Sequence, residues 1–410
     1  MSYYLQTQLS FQHPCISNPP QQDLSIIVVI PCFNETQLIK SLESLNSCDL
    51  PNGWVEIITV INSSEISSNK IIETNTKTLE LAQQWTALNA KNRISYYFID
   101  ANNLPDKDAG VGWARKIGMD EAVIRFEQIN KDGIIACFDA DSTCASNYLV
   151  ELEKHFQFHP KSPACSIHFE HPLQGNEFSQ ENHQAIEAYE LHLRVYKNAL
   201  QFCGFPFAFH TIGSSMAVKS KAYQKQGGMN KRKAGEDFYF LQKMMVLGNF
   251  TELKTTTIYP SPRVSDRVPF GTGRAMQNYL SNEQKNYTTY AIESFLDLKQ
   301  FVEQLDNLYN STILELPVSV SEYLKTISFD ENLHKIRQNS TSLIHFKQLF
   351  FNWFNAFKVL KFVHFVRDNY YADVDVFVAA NELLKQLNKP TCNKGDLLSL
   401  FRDLDIIIDN

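Results

Sequence analysis

GIIACFDAD, residues 133–141, is the stretch on which the reading of this chain turns. Its apolar run Gly133-Ile134-Ile135-Ala136-Cys137-Phe138 has the near-continuous hydrophobicity of a strand covered on both faces. The run ends in Asp139-Ala140-Asp141, so two carboxylates two residues apart emerge at the strand's C-terminal rim. Paired oxygen ligands there can hold a hard divalent cation, Mn²⁺ or Mg²⁺, against a diphosphate, as a nucleotide-sugar site requires. Asp-x-Asp is short, and aspartates that cap or turn at a strand end give the same pattern.

Upstream, the β-branched run 24–30 follows the breaker cluster Asn18-Pro19-Pro20-Gln21-Gln22, and apolar runs at 55–61 and 94–99 repeat the strand signal. Helical patterns at 37–45, 70–88 and 113–129 separate them, which implies βαβ units and an open α/β sheet. Ligands of such sheets collect at the strands' carboxyl ends, where Asn34, Asn62, Asp100 and Asp139 emerge. Further on, 164–169 reads as a strand, 184–200 as a helix and 214–218 as a short strand. Beyond about residue 275 the chain reads as mainly helical. The expected division is a leader over 1–23, an α/β domain over 24–275 and a helical C-terminal domain over 276–410.

Composition sets the outer limits. The chain has 410 residues, 44% hydrophobic and 20% charged, enough for a large core and ordinary for a globular protein. A net charge of −7 without a basic stripe argues against a nucleic-acid partner. The eight cysteines form no Cys-x-x-Cys pair and several lie in apolar runs, as buried thiols of a reducing compartment do. Residues 1–23 lack a basic region followed by a long apolar stretch, and no segment supplies about 18 uncharged apolar residues. The expected location is the cytoplasm, with peripheral contact at the inner membrane face as a variant.

Three other motifs join the acidic pair: Pro31-Cys32-Phe33-Asn34-Glu35 directly after the first strand, Asp108-Ala109-Gly110-Val111-Gly112-Trp113-Ala114-Arg115 leading into a helix, and Gly235-Glu236-Asp237 opening another. Together, in this order, they resemble the family 2 glycosyltransferases over residues 24–275. That resemblance implies the GT-A fold: a nucleotide-binding sheet with helices on both faces, here followed by the helical C-terminal region. It further implies a metal-dependent, inverting transfer of a sugar from a nucleoside-diphosphate sugar donor to a hydroxyl acceptor, a glycan or lipid-linked glycan.

Carried over residue by residue, the resemblance implies that Phe33 stacks near the base, Asp139 contacts ribose or metal and Asp141 ligates the metal. Pro31, Asn34, Glu35, Asn62, Asp108, Arg115, Ala140 and Arg267 complete the implied nucleotide-sugar-binding set. Asn62 is a departure, because the family's second strand ends in acidic residues at this place. Its amide still offers a donor and an acceptor, but no charge for the ribose hydroxyls.

Each motif has a plainer structural reading. Asn34 can cap a helix, Gly110 and Gly112 can serve a tight turn instead of admitting a phosphate at a helix start, and Arg115 can be a solvated helix residue. Glu236 and Asp237 suit a first helical turn on electrostatic grounds alone. Their functional reading makes Asp237 the general base that deprotonates the acceptor hydroxyl, with Glu236 in support. His210 and Gly213 are acceptor-side candidates. The loop 261–274 carries Arg263, Arg267 and Arg274, a cationic cluster able to clamp a diphosphate or to lie paired on the surface. The aromatic residues Phe346, Phe350, Trp353 and Phe357 recur at helical spacing, as core packing or as an interfacial membrane helix. A non-catalytic nucleotide-sugar-binding protein and a retaining transferase are the alternatives, while a nucleotidyltransferase would need a Gly-rich basic loop that 31–35 lacks.

Overall fold

The structure is a computed structural model and describes residues 2–265, 271–282, 286–310 and 315–407. The chain divides into two compact units, residues 1–179 with 211–277, and residues 180–210 with 278–410. The last of the three cuts lies two residues beyond the boundary at 275, but two features depart from the expected division. The helix expected at 184–200 belongs with the helical unit. Residues 2–16 are no separate leader: the hydroxyl of buried Tyr4 donates to Asp120 at 2.6 Å, and the backbone N–H and hydroxyl of Ser10 donate to its other oxygen.

The first unit is built on eight strands: β1 (Leu24–Cys32), β2 (Trp54–Ser64), β3 (Ile94–Leu104), β4 (Ile134–Cys137), β5 (Thr143–Cys144), β6 (Ala164–Phe169), β7 (Met216–Lys219) and β8 (Thr251–Tyr259). Their order is β3-β2-β1-β4-β7-β6-β8-β5. The four strands read first from the sequence form the parallel half, with Val28 of β1 opposite Ile57 on one side and Ala136 on the other. The other half is mixed, because β7 runs antiparallel to both β4 and β6, and β5 antiparallel to β8.

Helices cover both faces. The helices of this unit are α1 (Tyr3–Thr7), α2 (Leu38–Asn46), α3 (Asn69–Asn89), α4 (Val111–Gln128), α5 (Tyr148–Phe158), α7 (Ser220–Lys225) and α8 (Glu236–Met245), while α6 (Gln180–Phe202) belongs to the second unit. Ile26, Val28 and Ile30 point into a core with Leu38, Leu42 and Leu45 of α2, Ala82 of α3 and Leu152 and Phe156 of α5. The alternate residue Val29 meets α4, so closely that a Cβ on Gly118 would stand 2.5 Å from its methyl. This period of two along β1 gives both faces of the sheet a hydrophobic cover.

In the second unit α6 packs against the helices Val376–Gln386 and Lys394–Ile406. A buried polar cluster joins α6 to the last of these. Asp405 accepts from Arg194 at 2.5 Å, Lys197 at 3.0 Å, Asn198 at 3.0 Å and His210 at 2.8 Å. Glu190 is shared by Arg194 and Arg402. The aromatic segment settles into core: Phe346, Phe350 and Phe354 are buried, so those rings do not form a membrane-facing surface. Among the described residues no helix is long and apolar enough to cross a membrane.

Candidate active site

Four strand ends and two helix starts bring the candidate residues to the first unit's sheet edge. The backbone of Asn34, just past β1, takes the left-handed conformation at φ 48°, which asparagine tolerates better than most residues, and its N–H donates to Asn75 Oδ1 at 2.9 Å. Pro31 and Glu35 are buried and Phe33 is half-buried. Asn75 also donates to the Asn62 carbonyl and to Asn102, which in turn accepts from Ser63. Through this network the ends of β1, β2 and β3 hold one another. Asn62 Oδ1 is buried and has no protein hydrogen-bond partner. Asp108 lies half-exposed between β3 and α4.

Arg115 is the hub. It lies on the first turns of α4, its side chain is 2% exposed, and it donates to Glu236 and, at 2.8 Å, to Asp139. A Cβ on Gly213 would meet both terminal nitrogens of Arg115 at 2.9 Å and Asp237 Oδ2 at 3.1 Å, so Asp237 and Gly213 stand at the same guanidinium. Residues 115, 139, 213, 236 and 237 therefore converge. The plain reading of Arg115 as a solvated helix residue is wrong: it is a buried ion-pair centre.

One guanidinium facing three carboxylates leaves the acids underpaired. Burial pushes the Glu236 carboxyl up to about 7; Arg115 opposes the shift and the charge of Asp237 adds to it. Burial also raises Asp237, again against Arg115. For Arg115 burial works against the charge, yet Glu236, Asp139 and Asp237 hold its pKa above the ordinary guanidinium value. Asp237 is less buried than Glu236, and one of its oxygens accepts the Phe238 N–H at 2.7 Å.

A second guanidinium, Arg263, bridges the other side. Its Nη2 lies 2.5 Å from Glu35 and 2.7 Å from Asp141, joining the turn after β1 to the turn after β4. Within the loop 261–274 it is thus Arg263 that reaches the carboxylates, whereas Arg267 lies outside the described residues. Ala140 is buried between the two aspartates.

The glycines at the start of α4 answer to protein packing. A Cβ on Gly112 would stand 2.3 Å from the Arg232 carbonyl, and one on Gly110 would stand 2.9 Å from Lys233 Cα. They admit the segment 230–233, which delivers Glu236 to Arg115. Lys231 over Trp113 and Arg232 over Tyr239, each 3.8 Å from the ring centre, hold that segment down.

The two acceptor candidates part company. Gly213 belongs to the convergent group, but His210 is in the second unit, bonded to Asp405. Sequence reasoning did not find Asn75, an amide inside α3, or Asn102, an amide near the end of β3, nor the bridging role of Arg263.

No group of three or more His, Cys, Asp or Glu side chains able to hold a metal occurs among the described residues. The protein's hard-oxygen set here is Asp139 with Asp141. One or two carboxylates completed by substrate phosphates is how Mg²⁺ is commonly held, so these residues fit such an ion.

Residues 134–296 match the family model "Glycosyl transferase family group 2". No curated protein sequence matches the chain. Among solved structures the chain is similar to S. aureus TarS 1-349 in complex with UDP-GlcNAc, at 14% identity and a TM-score of 0.41, covering 93% of this chain and 90% of that one. The same protein in complex with UDP gives 15% identity and 0.40 over 93% and 88%. UTP-bound UGPase from Acinetobacter baumannii gives 11% and 0.27 over 69% and 99%. The segment that matches this glycosyl transferase family model, residues 134–296, contains β4, the acidic turn after it and the Glu236-Asp237 pair.

Proposed function

We propose that this protein transfers a sugar, with inversion, from a nucleoside-diphosphate sugar to a hydroxyl of a glycan or lipid-linked glycan. The single observation that carries the reading is the convergence of Asp139, Glu236 and Asp237 on Arg115, from three places far apart in the sequence. Asp237 is the general base: its raised pKa makes it a better proton acceptor than an ordinary aspartate, and its partial exposure leaves it reachable by an acceptor. Glu236 and Arg115 position it.

Asp139 and Asp141 would hold Mn²⁺ or Mg²⁺, which supplies charge neutralisation for the departing diphosphate when bound. Arg263, which lies between Glu35 and Asp141, would contact the phosphates. Phe33 offers the base a ring, and the unpartnered Asn62 oxygen offers it a hydrogen-bond acceptor. Donor recognition at that point is through a neutral amide instead of a carboxylate.

Calorimetric titration with nucleoside diphosphates, with and without Mn²⁺, tests the donor half: binding that strengthens with metal in the wild type and loses the metal effect in Asp141→Asn is expected. Equal binding with and without metal in the wild type removes the metal from the proposal. NMR of the anomeric proton in the first-formed product decides inversion.

A further inference from the structure

Helix α2 rests on the segment that follows the acidic turn, through a stripe of small polar side chains. Ser41 Oγ donates to the Ser142 carbonyl at 2.7 Å, and Ser44 Oγ accepts the Cys144 N–H at 2.9 Å. The same stripe ends at Cys48, whose sulfur lies 3.6 Å from that of Cys144. Both cysteines are free thiols; Cys48 is buried and Cys144 half-buried, beside exposed Ser47 and Asp49. Cys144 is three residues beyond Asp141, and α2 begins three residues after Glu35. Cys144 therefore sits where the turn that carries Asp141 continues into packed structure, and Cys48 meets it from just beyond the C-terminal end of α2.

We propose that Cys48 and Cys144 are a reversible oxidation site, closing to a disulfide under a hydroperoxide and shifting the acidic turn beside it. The Cys48 thiol is the attacking group. Its pKa is lowered, first by the hydrogen bond to Cys144, and then, against the effect of burial, by the N–H of Leu149 in the first turn of α5. Burial drives the thiols of Cys137, Cys165 and Cys203 the other way. In the first step the Cys48 thiolate attacks one peroxide oxygen, the O–O bond breaks, and the leaving hydroxide takes a proton to become water. In the second, Cys144 sulfur attacks the Cys48 sulfenic sulfur, the S–S bond forms, the S–O bond breaks, and the hydroxide leaves with the Cys144 proton as a second water. Two thiols are oxidised by two electrons and one peroxide is reduced to two waters.

Closing the gap from 3.6 Å to a disulfide length shortens it by about 1.5 Å, and β5 has only two residues in which to absorb that before the turn that carries Asp141. The consequence for turnover rests on the function proposed above; formation of the bond does not.

The test uses the full chain, reduced and then freed of reductant. After stepwise hydrogen peroxide, blocking of remaining thiols and proteolysis, mass spectrometry is expected to show a Cys48–Cys144 linked peptide that dithiothreitol removes. Donor hydrolysis by the linked protein is expected to fall about tenfold to a hundredfold, the scale of a misplacement near 1 Å, and to recover on reduction. Cys48→Ser and Cys144→Ser are expected to keep their activity under the same treatment. Both cysteines blocked as free thiols after peroxide, or a linked protein that hydrolyses donor as before, overturns the inference. A reduced protein that neither binds nor hydrolyses any donor counts against the proposed function and leaves the peptide result to decide the oxidation site.

Discussion

Two buried charge clusters, one in each unit, use similar side chains in opposite proportion. At the sheet edge a single guanidinium, Arg115, faces Asp139, Glu236 and Asp237, and the carboxyls of Glu236 and Asp237 are pushed up. In the helical unit cations predominate instead: Asp405 receives hydrogen bonds from Arg194, Lys197, Asn198 and His210, and the second carboxylate there, Glu190, is shared by Arg194 and Arg402. Burial opposes the charge of Asp405 too, but His210, Lys197 and Arg194 outweigh it and hold the carboxyl well below the ordinary range. The contrast separates a group poised to exchange a proton from one that fastens helices. Burial is common to both, so the ratio of cations to carboxylates decides which way a buried acid moves.

The largest expected effect falls on the poised cluster. Asp237→Asn is expected to lower transfer by about 10²- to 10⁴-fold, the usual worth of a general base, with the urea unfolding midpoint nearly unchanged. A rate within a few-fold of wild type would make Asp237 a structural residue and erase the contrast. The fastening cluster should answer in stability instead. Asp405→Ala strips Arg194 and Lys197 of their shared acceptor and is expected to cost about 3–5 kcal/mol in urea unfolding, the scale for breaking a buried ion pair. A loss below 1 kcal/mol would show that the helix does not depend on it.

Gly112→Ala sharpens the comparison from the packing side. Its Cβ would meet the Arg232 carbonyl, a backbone atom that cannot swing away, so the segment delivering Glu236 must shift. The expected cost is about 1–3 kcal/mol, with activity falling more than stability alone would explain. The smallest effect is in pH dependence. The folded Glu236 pKa is raised from 4.5 to about 7, so its stabilising contribution is full below 4.5 and is lost as pH rises through 7. For Asp405 the folded pKa is depressed, so its contribution is present above 3.8 and is lost as pH falls below it. Each group can add a slope of at most about 1.4 kcal/mol per pH unit. Glu236→Gln should flatten the curve from pH 5 to 8 and leave its acid limb; Asp405→Asn should do the reverse. Identical curves for both variants would mean that neither cluster sets the pH response.

Much of the first unit was legible because its signals are local. The apolar runs that became β1 to β4 and the helical patterns between them follow from periods of two and 3.6, which a single sequence displays. The second half of the sheet was harder. Strand β8, Thr251–Tyr259, mixes Glu252 and Lys254 with threonines, and its buried positions are only Leu253, Thr256 and Ile258. Its strand character comes from pairing with β6 and β5, which no local pattern announces. The N-terminal segment was read as a leader because one buried tyrosine, Tyr4, does not make a hydrophobic run.

The candidate site divides in the same way. Asp139, Asp141, Glu236 and Asp237 stood out because strand ends and helix starts place polar groups at predictable rims. Arg115 looked like one more helical arginine, and only the approach of α8, 121 residues away, gave it Glu236 as a partner. His210 looked like an acceptor ligand until Asp405, 195 residues on, was found at its ring.

By itself, then, the sequence determined which segments become strands and helices in the parallel half of the sheet, and that acidic side chains stand at their ends. The fold alone decided the partners: Arg115 with Glu236 and Asp139, Arg263 with Glu35 and Asp141, Cys48 with Cys144, Asp405 with α6. The reason is range. Backbone periodicity is set by neighbours a few residues away, whereas the charge state of a buried acid depends on whichever cation the folded chain brings within hydrogen-bonding distance.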